Sequence, residues 1–314
     1  MIQLIYIAVL LYTQQYIFLK LQVRYSFKIH NCCKLATDFL ELRNHLTKVS
    51  QNYMNISLEN KCAVICGGSQ GIGFATAMAL AASRASCILI ARNEAALQEA
   101  VAKLPTTFHQ KHLYKVADFS DTAAVKIAIE EITSGTNIEI LVNNSGGPKP
   151  GPITDANPEA FKAAFNQHVI CNQILVNAVI PGMRILKYGR IINIISTSVK
   201  TPLPNLGVSN TIRAAVASWA KTLANEIGKY NITVNNILPG LTNTSRLESL
   251  VKQIALDKGI EEKQVKQELI GSIPMRRFAE PKDIASVICF LASPAAAYVN
   301  GINIPVDGGR TPTL

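Results

Sequence analysis

Cys66-Gly67-Gly68-Ser69-Gln70-Gly71-Ile72-Gly73 is the stretch that decides the fold of this 314-residue chain. An apolar run, Cys62-Ala63-Val64-Ile65, precedes it and reads as a buried strand. Phe74 to Ala82, rich in alanine, follows it and reads as a helix. A strand, a tight glycine turn and a helix N-terminus together make a site for a pyrophosphate. The glycines let the backbone approach the ligand, and the helix end offers free N–H groups and a partial positive charge.

Outward from this turn, strand-like and helix-like segments alternate with short connections. Strands are expected at Ser86–Ala91, His112–Ala117, Ile138–Val142, Arg190–Ile195, Ile232–Leu238 and Ile302–Val306. Helices are expected at 93–104, 121–134, 158–186, 209–228 and 281–291, with further helical pieces between Arg246 and Ile270. Continuous apolar strands alternating with helices mean a parallel sheet covered on both faces. The expected architecture is one α/β domain, a doubly wound Rossmann-type sheet of about seven strands.

Nearly half of the residues are hydrophobic and 17% are charged, enough to bury a large core. The formal charge is +10, but residues 1–53 hold six Lys/Arg against two acids, leaving about +6 for the remainder. No basic run or aromatic-basic interleaving is present, so a nucleic-acid surface is not expected. The cysteines at 32, 33, 62, 66, 87, 171 and 289 include no CxxC pair. Free thiols in a reducing compartment fit them better than disulfides or a metal site, and no metal is expected.

Residues 1–53 differ in character from the rest. Ile2–Leu11 and Tyr16–Leu21 are apolar but interrupted, too short for a span of about 20 residues, and not organised as a signal peptide. The expectation is that 1–53 stands outside the fold, that Met54 is the initiator, and that the domain occupies 54–314 in the cytoplasm. Genuine membrane or organelle targeting by 1–53 is the alternative.

The glycine spacing GxxxGxG, in this position, resembles the short-chain dehydrogenase/reductase family, and the likeness extends from about Met54 to Gly309, roughly four-fifths of the chain. Cys66 departs from the family's usual Thr. Asn143-Asn144-Ser145-Gly146 after the fourth strand resembles the family's Asn-Asn-Ala-Gly turn. Pro239-Gly240 after the sixth strand matches its nicotinamide-side turn, and Val306-Asp307-Gly308-Gly309 its C-terminal signature. The resemblance implies an NAD(P)-dependent oxidoreductase. It implies cofactor contacts at Gly67, Ser69, Gln70, Gly71, Ile72, Gly73, Asn143, Gly146, Pro239, Gly240 and Thr244, with Asp118 on the adenine. Arg92, at the tip of the second strand, favours NADP(H), because an Arg pairs with a 2′-phosphate where an acid would hold the 2′-hydroxyl of NAD(H). Gln70 counts slightly the other way, since NADP-preferring relatives often carry a basic residue there.

The catalytic pattern is where the chain departs most. The family reduces carbonyls with a Ser and a Tyr on the carbonyl oxygen, a Lys four residues after the Tyr, and an Asn on the long helix. A phenol near pKa 10 becomes a usable acid beside a cation, whereas an alkyl hydroxyl does not. Here Ser196 takes the Ser position, Ser209 stands in place of Tyr, Arg213 in place of Lys, and His168 in place of Asn. Arg213 would also hold the cofactor ribose. The only YxxxK, Tyr16 to Lys20, lies upstream of the glycine turn; Tyr114, Tyr188, Tyr230 and Tyr298 match no catalytic position. Two serines to polarise the oxygen, a fixed cation and His168 as a titratable proton source make a rebuilt reductase. The alternative is a catalytically inactive NADP-binding regulator or subunit; an isomerisation or dehydration is a third possibility.

On the substrate side, two proline-stiffened segments, Gly147–Pro152 and Thr201–Pro204, flank the expected mouth, and Thr242–Arg277 is the family's usual lid. Lys149, Lys200, Arg213, Arg246, Arg276 and Arg277 bias this side towards cations. An anionic or phosphopantetheine-borne oxo substrate is expected, as in the 3-oxoacyl carrier-protein reductases that the layout most resembles. The family's habit of pairing its long helices implies a homodimer or homotetramer through 157–186 and 209–228.

Overall fold

The computed structural model describes residues 54–313. The compact unit that carries the sheet begins at Ile56. Tyr16, Lys20, Cys32 and Cys33 lie outside the described residues, as does the rest of 1–53.

Seven strands form one parallel sheet. They are β1 (Cys62–Cys66), β2 (Ser86–Ala91), β3 (Leu113–Val116), β4 (Ile140–Asn143), β5 (Gly189–Ile194), β6 (Ile232–Pro239) and β7 (Asn303–Val306), in the order β3-β2-β1-β4-β5-β6-β7. The Rossmann-type expectation holds, and the expected strands recur with ends shifted by a residue or two. The chain reverses direction across the sheet between β1 and β4, so a crevice opens there at the strands' carboxyl ends, where ligands of such sheets bind.

The helices are α1 (Gly71–Ala82), α2 (Glu94–Ala102), α3 (Thr122–Gly135), α4 (Pro158–Leu186), α5 (Gly207–Ile227), α6 (Ser245–Lys258), α7 (Glu262–Gly271) and α8 (Pro281–Ala292). The two faces of the sheet bury separate cores. Ala63, Ile65, Ile140, Val142 and Ile192 pack with α1 and α8 residues such as Leu80 and Ile288. Val64, Leu141, Ile191 and Val234 pack with Ile129, Leu175, Val176 and Ala220 from α3, α4 and α5. Among the described residues α4 is long and apolar enough to cross a membrane by length and composition. Its stripe of Cys171, Leu175, Val176, Val179 and Met183 is fully occupied with this core.

The middle of α4 is not regular. Asn166–Ile170 winds as a π-helical turn between two α-helical stretches, Pro158–Phe165 and Cys171–Leu186. A π-turn breaks the 3.6-residue repeat and re-aims the side chain it carries. The side chain concerned is His168.

On the second core face a row of amides crosses four strands of the sheet. Asn143 Nδ2 donates to Asn193 Oδ1, Asn193 Nδ2 to Asn236 Oδ1, and Asn236 Nδ2 to Asn303 Oδ1, each at 2.8 Å. The four asparagines sit opposite one another on β4, β5, β6 and β7. Asn143 Oδ1 ends the row, buried and without a partner among the described residues.

Candidate active site

The glycine turn is built for a close ligand. Gly67 has φ +59°, and a Cβ placed on it would lie 2.7 Å from the Asn144 amide nitrogen. A Cβ on Gly73 would lie 2.0 Å from the Gly67 carbonyl oxygen, so only hydrogen fits there. Asn144 Nδ2 donates to the carbonyls of Cys66 and Gly67, tying the β4 turn under the β1 turn across the crevice. Helix α1 starts after Gln70, whose side chain makes no capping bond, and Asp and Glu are absent from its first turn. Its first N–H groups and the positive end of its dipole therefore carry no acid from their own turn, although Glu248 stands in the wall of the cavity there.

A cavity of about 420 Å³ opens there, between Gln70, Gly71, Phe74 and Ala75 on one side and Asn243, Thr244 and Ser245 on the other. Pro239-Gly240 turns beside it: Gly240 N–H donates to the Val306 carbonyl, and a Cβ on Gly240 would strike Asp307 at 2.7 Å. Ser69 is partly buried in the turn, Ile72 packs on the α1 core, and the Gly146 carbonyl accepts from Gln167 at 2.9 Å. These residues fit a dinucleotide.

Arg92 and Asp118 mark the far end of the crevice. Arg92 is exposed after β2. The Asp118 carboxylate accepts from the Ser120 N–H and hydroxyl, both at 2.9 Å. Those bonds, reinforced by the Arg92 charge, hold its carboxyl below the usual range. The cap of α3 is Asp121, which accepts from Ala123 and Ala124, so Asp118 is not merely a helix-capping residue.

Ser196, Ser209, Arg213 and His168 stand on elements that pack together beyond β5. Ser196 stands two residues beyond the strand, where its Oγ accepts from Ser198 N–H at 3.1 Å. Ser209 and Arg213 lie one turn apart on the inward side of α5, and both are buried. Arg213 is tied to the strand end, donating from Nη1 to the Ile194 carbonyl at 3.1 Å. Burial and the Arg246 charge lower its guanidinium to about 10, so it stays charged at neutral pH. His168 Nδ1 meets Ser145 Oγ at 2.8 Å. His168 Nε2 is buried and has no partner among the described residues.

His168 corrects one expectation. Burial, followed by the charges of Arg213 and Arg246, pushes its pKa down to about 2. An imidazole near two guanidiniums and out of water cannot also hold a proton of its own. His168 is therefore neutral at physiological pH and is not the titratable proton store that its type suggested.

The tyrosines of the domain are engaged elsewhere. Tyr188 donates to the Ala292 carbonyl at the far end of β5, and Tyr114 to Glu94. Tyr230 stacks against Arg184, and Tyr298 is fully exposed. The cationic bias also narrows. Arg277 pairs with Asp283 at 2.6 Å and Arg276 donates to the Gly271 carbonyl, whereas Arg246 reaches Pro148 O at 3.4 Å, beside Gly147. Sequence reasoning missed Ser145, the partner of His168, and the π-turn that brings the two together. A helix register that assumes 3.6 residues per turn gives no signal for either.

The comparisons agree with this geometry. The profile of the family described as enoyl-(acyl carrier protein) reductase matches residues 67–311. NADPH-dependent reductase BacG of Bacillus subtilis (strain 168) is 28% identical over 262 residues, covering 82% of this chain and 100% of that protein. 7alpha-hydroxysteroid dehydrogenase of Escherichia coli (strain K12) is 30% identical over 263 residues, covering 84% and 99%. Among solved structures, L-sorbose reductase of Gluconobacter frateurii, complexed with NADPH and L-sorbose, superimposes with a TM-score of 0.78 at 34% identity, over 83% of this chain and 100% of that one. This chain belongs to the short-chain dehydrogenase/reductase family, a class of nicotinamide-dependent oxidoreductases.

Proposed function

We propose that the protein is an NADPH-dependent reductase of a small oxo compound, working with a rearranged catalytic group. The observation that carries this reading is the convergence of Ser196, Ser209 and Arg213 beside a glycine turn shaped for a dinucleotide. The naming of NADPH among the relatives supports the choice of cofactor, as does Arg92, exposed where a 2′-phosphate would lie.

When bound, NADPH supplies the hydride. Ser196 and Ser209 offer hydroxyl hydrogens to the carbonyl oxygen, and Arg213 supplies a cation that stabilises the oxyanion as charge develops there. Neutral His168, held by Ser145, positions the loop after β4 rather than supplying a proton. The proton that completes the alcohol comes from solvent, since neither a neutral imidazole nor an alkyl hydroxyl is a strong enough acid to be its source. A 3-oxoacyl thioester-like or other small oxo compound is the substrate class we favour.

Neutral His168 also favours a second reading, an NADPH-binding regulator without turnover, because no group with an ordinary acidic pKa stands at the oxygen. NADPH oxidation at 340 nm by the full chain, against 3-oxoacyl thioesters, 2-oxo acids, aldehydes and quinones, separates the two. Ser196→Ala is expected to lower kcat by roughly 10²-fold, within the range for loss of one oxyanion donor, with NADPH affinity unchanged. Tight NADPH binding with no turnover on any substrate would favour the regulator.

A further inference from the structure

Two cations in the site have no acid opposite them. Arg213 is buried against the end of β5, and Arg246 lies exposed at the rim, across Gly147 and Pro148. The eight ion pairs among the described residues include neither. Their printed bonds are to backbone carbonyls, Ile194 for Arg213 and Pro148 for Arg246. A guanidinium has five N–H donors, so most of this donor capacity is unspent. Both charges act on the same buried imidazole, His168, whose Nε2 also lacks a partner.

Bringing like charges together in a partly desolvated place is unfavourable unless an anion joins them. Other buried polar atoms without partners lie in the segment that follows β5: Ser198 Oγ, Thr201 Oγ1 and Asn210 Oδ1. This side of the crevice is polar, positively charged and incompletely satisfied.

We propose that Arg246, with Arg213 beneath it, clamps a carboxylate carried by the oxo substrate, so that the natural substrate is an oxo acid. Planar guanidiniums suit a carboxylate because two parallel N–H groups meet its two oxygens. Arg213 stands one helical turn from Ser209, so the carboxylate lies close to the carbonyl, as in a 2-oxo or 3-oxo acid. Arg246 at the rim makes the contact with the anion, and the Arg213 charge beneath it adds attraction while staying with the carbonyl oxygen. This inference rests on the reductase reading for its substrate but not for its anion site.

The test uses the full chain with 2-oxobutanoate and its methyl ester as probes, followed by calorimetry in the presence of NADPH and by NADPH oxidation. The acid is expected to bind at least tenfold more tightly than the ester. In Arg246→Met the affinity for the acid is expected to fall about 10- to 100-fold, the range for losing a charged hydrogen bond, which removes the preference over the ester, with KM moving more than kcat. Gly147→Ala keeps every charge but places a methyl 2.5 Å from the present position of Arg246 Nη1, and is expected to reduce the preference as well. It keeps the test decisive if Arg246→Met does not fold. Acid binding that is lost in these variants without any turnover would support the clamp while sinking the reductase. Equal binding of acid and ester, binding of neither, or an Arg246→Met defect confined to NADPH affinity would overturn the clamp; the last would assign the charge to the cofactor.

Discussion

His168 shows how far environment can take a residue from its type. Unfolded, its imidazole takes up a proton below about pH 6.5; folded, it does not until about pH 2. Between those values the unfolded chain binds the extra proton, so stability falls as pH falls, by up to ~1.4 kcal/mol per unit. Denaturant midpoints measured between pH 7 and pH 5 should therefore drop more steeply in the natural chain than in His168→Asn. Parallel curves would mean that His168 is protonated in the fold after all. The resemblance to the family assigned His168, Ser196, Ser209 and Arg213 to one site, position by position. It could not supply their electrostatics, because the Arg246 charge that acts on both His168 and Arg213 arrives from a distant stretch of chain.

Elements were legible where the pattern was strong. Continuous apolar strands marked the sheet, and the glycines from Gly67 to Gly73 marked the first turn, where Gly67 and Gly73 each answer a close approach and Gly71 a positive φ. In α4 the sequence pattern of a single long helix was right about the ends and silent about Asn166–Ile170. The glycine turn yields a direct prediction. Gly73→Ala sets a methyl 2.0 Å from the Gly67 carbonyl oxygen, so the turn must open and lose its ligand geometry. NADPH affinity, read by quenching or energy transfer, should fall at least tenfold, on the order of 1.4 kcal/mol or more. Wild-type affinity in this variant would show that the turn is not the pyrophosphate site.

At the scale of the whole molecule, the amide row joins four strands that come from distant parts of the chain. Asn193 is its best point of attack, because it both receives from Asn143 and gives to Asn236. Asn193→Val strands a buried donor on one side and a buried acceptor on the other, at about 2–5 kcal/mol in all. Chemical denaturation measures that loss, and a double replacement of Asn143 and Asn193 should cost clearly less than the sum of the two single ones. Full additivity would mean that the row is four separate contacts. None of this was visible in sequence, where Asn143 and Asn193 read as turn and strand-end residues with no reason to be linked.

The row also runs in one direction. Every amide gives its hydrogen towards β7, and reversing a single side chain would set oxygen against oxygen on one side and NH2 against NH2 on the other. The rotamers are thus one joint decision, and four strands must hold a single register, Asn143 to Asn193 to Asn236 to Asn303, for any of them to keep its partner.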